Sequence, residues 1–531
     1  MKNWKRWLLA ILLTLVIAFV YYYINLPALN IHSAGFWCFV ILMVFVFAIV
    51  LSFRSVWKSG HVSFGKKGLD IQKGTMGPYR YLFYLGGVLL LIFLIGSVLS
   101  SPIINAKKYQ KLMQVEERDF TADIKEVDFN TIPLLDRDSA AILGSRKMGS
   151  MVDMVSQFEV ADDYTQINVS GKPVRVTPLM YASPIKWLTN QKNGIPAYIQ
   201  IDMTTQDTEC VKLTEGIKYS ESEMFNRYIW RHIRFRYPTY IFADQIFFEI
   251  DDEGTPYWIC PVKKFNIGLF GGVTVGRVVL CNAITGECTD YQAELLMQLY
   301  DYHGMLQHGY LNSVLGQRDC LQTTNGYNYI AMNDDVWVYS GVTSVSGDQS
   351  NVGFVLMNQR TMETRFYRIE GAIEDSAMSS AEGQVQNLGY VASFPLLLNI
   401  SDEPTYFMAL KDSAGLVKKY AMVNIQKYQW VAIGDTVKEC KKAYNALLST
   451  NGIRTSENAD DLEITGKIAT YVPVVIDGNS HVYFTLEGDK TVYDADLTNS
   501  EIVGIIAYKE GDSISMFYQD GDTTSNVTKI K

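Results

Sequence analysis

The chain has 531 residues, 48% of them hydrophobic, with a formal net charge of -9 and seven cysteines. Residues 1–101 hold nine Lys/Arg and one acid, Asp70, whereas the remainder carries 38 basic against 55 acidic residues, a net of -17. So acidic a remainder argues against nucleic acid as a partner, since phosphates call for a basic face, and against tight contact with anionic head groups.

The apolar residues are segregated. Residues 7–24, 36–53 and 81–100 are three stretches of about the 20 residues that a helix needs to cross roughly 30 Å of hydrocarbon. The first has a basic leader, but Tyr21-Tyr22-Tyr23 stand where a signal peptidase needs small residues, so the segment reads as a retained anchor. Lys and Arg number three before the first span and six in the 54–80 loop, with none in Asn25–Gly35. The positive-inside rule therefore predicts a cytoplasmic N-terminus and 54–80 loop, with everything after about residue 101 extracytoplasmic. On that topology the two cytoplasmic segments are expected to be too short for a catalytic domain.

Beyond the membrane, residues 102–135 read as a charged helical stalk and Asp138–Phe158 as a second helical stretch, the two forming a lead-in over 102–160. Strands follow at Gln166–Ser170 and Pro173–Pro178. An internal repeat then organises the chain between 161 and 455. Its copies are Gly194-Ile-Pro-Ala-Tyr-Ile199 with Asp202-Met-Thr-Thr, Gly254-Thr-Pro-Tyr-Trp-Ile259 with Asn282-Ala-Ile-Thr-Gly-Glu-Cys288, and a looser Ile400-Ser-Asp-Glu-Pro-Thr-Tyr-Phe407. Helices precede two of them, Ser220–Ile233, with Ser220 and Glu223 spaced as a capping box, and Ser376–Leu388. After a linker at Ser456–Asp461, five short alternating segments over 462–531 predict a small β-barrel of OB or SH3-like type. The fold class expected is thus α+β: a three-helix anchor at 1–101, repeated helix-plus-antiparallel-sheet modules, and a C-terminal barrel.

A helix followed by antiparallel strands and an Asn-Ala-Ile-Thr-Gly-Glu turn resembles the PepSY-type module of bacterial envelope proteins. The region from about 172 to 450 is also similar to three-span membrane proteins of Firmicutes type. Phe235-Arg-Tyr-Pro-Thr-Tyr240, Gly326-Tyr-Asn-Tyr-Ile330, Asn358-Gln-Arg-Thr-Met-Glu-Thr-Arg-Phe-Tyr367 and Phe394–Ile400 carry that likeness. It implies an envelope location and an architecture without an activity. PepSY-type modules resemble protease propeptides, so the resemblance implies restraint or chaperoning of an envelope protein or peptide.

Few residues advertise chemistry. No HExxH, GxSxG, Walker loop or GxGxxG occurs, and neither Asp251-Asp252-Glu253 nor Asp334-Asp335 has the calcium-loop pattern. His303 and His308 are five apart and share no helix face, so no metal is expected, and no cofactor either. Gly268-Leu-Phe-Gly-Gly-Val-Thr-Val-Gly276 lacks the Lys-Ser/Thr of a phosphate loop and reads as a tight turn. A hairpin turn at Ala283–Gly286 sets Cys281 opposite Cys288, where either a cross-strand disulfide or two half-buried thiols fit. Arg231, Arg234 and Arg236 form a basic-aromatic run that suits acidic ligands, but the favoured reading is a helix end whose cations complement its dipole and pair with neighbouring acids. The expectation is a non-catalytic envelope protein that binds, scaffolds or regulates another. The alternatives are an accessory subunit of a transport complex and an enzyme acting on wall polymers, for which no convincing carboxylate pair is found.

Overall fold

In the computed structural model the apolar stretches are helices α1 (Asn3–Asn25), α2 (Ala34–Ser59) and α3 (Arg80–Leu99). At 23, 26 and 20 residues, they span about 30–39 Å. The structure describes residues 3–531 except 60, 66–67, 73–78, 113–114, 126–134, 296–320, 324–326, 333–334, 345–349, 359–360, 362, 452, 454–461, 477–478, 498–501 and 520–523. His303, His308, Cys320, Asp334 and the expected linker Ser456–Asp461 lie outside the described residues. Most side chains of the three helices face outward, Leu8, Phe19, Leu91 and Val98 among them. Such a surface is stable only with hydrocarbon as solvent. Where α2 and α3 meet, Gly86 takes the ring of Phe45 so closely that a Cβ would lie 2.8 Å from it, the small-residue packing by which membrane helices approach one another. A hairpin, His61–Gly65 with Gly68–Gln72, connects α2 to α3.

The stalk is shorter than expected. Pro102 opens a helix that stops at Gln110 and is already non-helical at Asn105. The Asn105 amide donates to the carbonyls of Leu99 and Ser101, offering the backbone an alternative to the helical ladder. Val115–Arg118 then runs as a strand. The second helical stretch is Arg137–Gly149, capped by the Asp136 carboxylate on the Ser139 amide.

The chain forms two compact units, one of residues 1–117, 131–348 and 352–367, the other of 118–130, 349–351 and 368–531. In the first, one antiparallel sheet is built from Phe158–Val160, Thr165–Val169, Lys172–Tyr181, Ile195–Asp202 and Thr208–Ile217. A second is built from β1 (Phe247–Ile250), β2 (Pro256–Ile267), β3 (Gly271–Asn282) and β4 (Cys288–Leu295), preceded by the short helix α4 (Ile229–Arg236). Their buried faces share one apolar core that includes Tyr198, Ile199, Phe248, Trp258 and Val279. A third sheet, which the sequence reading leaves undivided, centres on Asp335–Ser344 and Gly353–Asn358. In the second unit, helices Glu374–Gln384 and Val437–Thr450 accompany a sheet centred on Glu403–Lys411, and a closed five-stranded barrel follows over Leu462–Ile530. In the barrel the third and fifth strands, Tyr493–Asp496 and Ser525–Ile530, run parallel.

One turn recurs at the end of successive sheets. Asn282 Oδ1 accepts the amides of Ile284 and Thr285, the Asn282 amide donates to the Glu287 carbonyl, and Thr285 Oγ1 accepts the Glu287 amide. Asp202 does the same with Thr204, Thr205 and Asp207, although its sequence matches poorly. Asn358 repeats the pattern with Thr361 and Glu363. The shared requirement is an Asx acceptor, a Thr three residues on and an acid two further, a local network that fixes hairpin register. A longer version at Asn424, whose Oδ1 accepts the Lys427 amide, serves the second unit.

The expected capping box at Ser220 does not form. Ser220 makes a parallel bridge with Tyr228, and the buried Glu223 carboxylate accepts the Tyr181 hydroxyl at 2.7 Å and Trp187 Nε1 at 2.8 Å. A carboxylate holding two buried donors is not free to cap, and α4 starts only at Ile229. A capping box does form at Thr436 and Glu439, at the start of the Val437–Thr450 helix.

Candidate functional site

Two constellations stand out in the first unit, and both involve α4. The first fastens the second sheet to the spans. The chain leaves α1 with Leu26 at φ 50°, exposing the helix's last carbonyls, which carry its negative dipole end. Arg231 Nε donates to the Tyr23 carbonyl at 3.1 Å with its guanidinium 4.1 Å over the Tyr23 ring. Arg234, only 8% exposed, donates from Nε to the Leu26 carbonyl at 2.9 Å and from Nη1 to the Tyr240 carbonyl. Burial pushes the Arg234 guanidinium down to about 10, with the Tyr22 hydroxyl opposing. The Leu29 amide donates to the Pro238 carbonyl and the Asn30 amide group to that of Thr239.

The glycine-rich turn completes this clamp. Ser100, at the end of α3, accepts the amides of Leu269 and Phe270 on Oγ, at 2.9 and 3.2 Å. A Cβ on Gly268 would lie 2.4 Å from that Oγ, and one on Gly271 would lie 2.4 Å from the Ser100 carbonyl. Gly268–Gly272 is thus a tight turn, as its sequence reads, and its glycines let backbone meet backbone. Phe270 packs edge-on against Phe93 of α3 at 5.3 Å, while His32 Nδ1 hydrogen-bonds the Leu269 carbonyl at 2.8 Å. The basic run therefore serves the end of a membrane helix: Arg231 and Arg234 take carbonyls, while Arg236 is exposed at the end of α4.

The second constellation lies on the buried face of the same sheet. The recurring turn puts Cys281 of β3 directly opposite Cys288 of β4. His232, one turn into α4, packs against Tyr219 with the rings tilted and centroids 4.5 Å apart, and its Nε2 lies 2.7 Å from the Gly286 carbonyl. A ring nitrogen of His232 and the two sulfurs all lie within 4.8 Å of one another. Cys281 is fully buried and Cys288 is 7% exposed, both as free thiols. The Cys281 thiol donates to Cys288, which lowers the Cys288 pKa against the cost of burial, with His232 and the Arg236 charge assisting. The same hydrogen bond, with burial, raises that of Cys281. Burial disfavours protonated His232, but bonds to Cys288 and Gly286 outweigh it and raise its pKa. A nitrogen and two sulfurs so disposed can hold a thiophilic cation, share a proton, or oxidise to a disulfide. Sequence spacing pairs the two cysteines; nothing in it brings His232, 49 residues before Cys281, to them.

The opposite face of this sheet carries an open cleft of about 520 Å³, lined among others by Glu249, Tyr257, Glu287, Thr289 and Tyr291. Burial pushes the Glu249 carboxyl up to about 7. Asp251 sits at the rim in the β1–β2 turn, where its Oδ1 accepts the Glu253 and Thr255 amides, while Asp252 Oδ1 accepts the Ser170 amide. Comparison of the chain with family models and with curated proteins finds no match.

Proposed function

We propose that this chain is a membrane-anchored, non-catalytic envelope protein whose modules face the extracytoplasmic side and bind or scaffold another envelope protein or peptide. The observation that carries the reading is the clamp of Arg231, Arg234 and Ser100, which fastens the second sheet to the ends of α1 and α3. A soluble module tethered by a flexible linker would need no such interface, whereas a platform held at a set height and angle does. Both clamped ends belong to the side that the count of Lys and Arg assigns to the exterior. The recurring Asx turn and helix-plus-sheet modules support the PepSY-like reading, and the parallel third and fifth barrel strands support an OB-like one. The Tyr- and carboxylate-lined cleft, turned away from the core, is the surface for the partner.

Two labels test this. Lys192→Cys, at an exposed site, should react with a membrane-impermeant maleimide in intact cells, and Lys58→Cys only after lysis. The reverse pattern would overturn the sidedness. A photocrosslinking amino acid at Tyr257 should give discrete adducts in living cells that the same group at exposed Val152 does not. Equal adducts at both positions, or none at Tyr257, would sink the cleft as the binding surface.

A further inference from the structure

We infer that His232, Cys281 and Cys288 form a binding site for a thiophilic transition-metal ion of the zinc class, which pins α4 to the β3–β4 hairpin. Among the described residues, this group brings one nitrogen and two sulfurs within 4.8 Å of one another. Around a tetrahedral zinc, thiolates at about 2.3 Å and an imidazole at about 2.0 Å stand roughly 3.5–3.8 Å apart, so only a small contraction separates the group from a ligand set.

The protein supplies its own comparison. The recurring turn places the same pair of positions opposite each other at the end of each sheet. In the first sheet they are Ile201 and Thr208, in the third Met357 and Thr364, and in the fourth Val423 and Val431. Where packing alone decides, the hairpin takes an aliphatic residue or methionine opposite threonine or valine. Only in the second sheet are both positions cysteine, and among the described residues only there does an imidazole lie against them. Two thiolates would neutralise a dication, so a buried site carries no net charge, as burial requires. Sulfur with imidazole selects zinc and its neighbours over magnesium or calcium. The bond of His232 Nε2 to the Gly286 carbonyl fixes the ring, the support that metal-binding histidines ordinarily have, and the tilted Tyr219 ring packs beside it. Cys260, buried on β2 beside Trp258, is a third thiol on the same face but outside the set of three ligands, so the fourth coordination position is open to it or to a small exogenous ligand.

The test uses the full chain, purified in detergent without chelator. Zinc is measured by atomic emission; the protein is then reduced, stripped and titrated with cobalt(II), reading the thiolate-to-cobalt charge-transfer band. The expected result is one ion per chain with that band present, and affinity at least about tenfold weaker in His232→Ala. The Cys281→Ile/Cys288→Thr double variant, which installs the pair of the first sheet, should fold with an unchanged circular dichroism spectrum and bind none. Cys440→Ser, buried in the other unit, should bind as the wild type does. Absence of both zinc and the cobalt band in the reduced protein would overturn the inference. So would undiminished binding by the double variant, or recovery of Cys281 and Cys288 from cells as a disulfide.

Discussion

Arg234→Met isolates the clamp. The guanidinium donates to two backbone carbonyls, those of Leu26 and Tyr240, and is nearly excluded from water. Each hydrogen bond from a charged group is worth about 1.5–3 kcal/mol, so the gross loss is about 3–6 kcal/mol. Part of this is offset, because methionine does not carry the desolvation cost that holds the Arg234 pKa down. The guanidinium also lies 5.3 Å over the Phe242 ring, a cation–π contact that the methionine thioether replaces with a sulfur–aromatic one. A net loss of about 2 kcal/mol is expected, or roughly 30-fold in the local opening equilibrium. The reporter is amide exchange of the 26–33 segment in lipid nanodiscs, where the Leu29 amide donates to Pro238 at 2.8 Å. Exchange there should quicken by about that factor in Arg234→Met and by less in Arg234→Lys, which keeps a charge but not the fork. The interior of α1 should be unaffected. Unchanged exchange in the 26–33 segment, within about twofold, would refute the clamp as the element that holds module to membrane.

Other sites give sharper stability tests. Glu223→Ala leaves the Tyr181 hydroxyl and Trp187 indole without their acceptor and should cost about 2–4 kcal/mol, read as a fall in melting temperature; Glu223→Gln, which keeps one acceptor, should cost less. Glu249 holds its proton in the folded state up to about pH 7 but in the unfolded chain only to about 4.5. The folded state therefore binds the extra proton between those values, and stability should fall as pH rises from 4.5 through 7. Glu249→Gln should flatten that slope in denaturant titrations at successive pH values, and a slope of the same size in the variant would exclude Glu249 as its source. Gly434→Ala would bring a Cβ to 2.2 Å from the Cys440 amide nitrogen, so the Val437–Thr450 helix must shift; a loss of about 2–3 kcal/mol is expected in the second unit, followed by circular dichroism.

The anchor was legible because its signal is collective: uninterrupted apolar residues have no other stable setting, and the three helices fall within a few residues of the expected spans. The barrel strands showed through by alternation, the Cys281–Cys288 pairing through the local chemistry of its turn, and the tight turn at Gly268–Gly272 through its glycines. These are properties of neighbours in sequence. The tertiary structure decided what Glu223 and the arginines do, because their partners lie far away in the chain: Tyr181 and Trp187 for the carboxylate, Tyr23 and Leu26 for the guanidiniums. A spacing of Ser220 and Glu223 states that a cap could form; a buried pair of donors elsewhere takes the same oxygens at lower free energy. His232 makes the point again, since α4 and the β3–β4 hairpin meet only once the sheet has a buried face to cover. Periodicity and turn chemistry act over a few residues and so can be read directly, whereas the fate of a polar side chain depends on which distant group it must satisfy once water has been expelled.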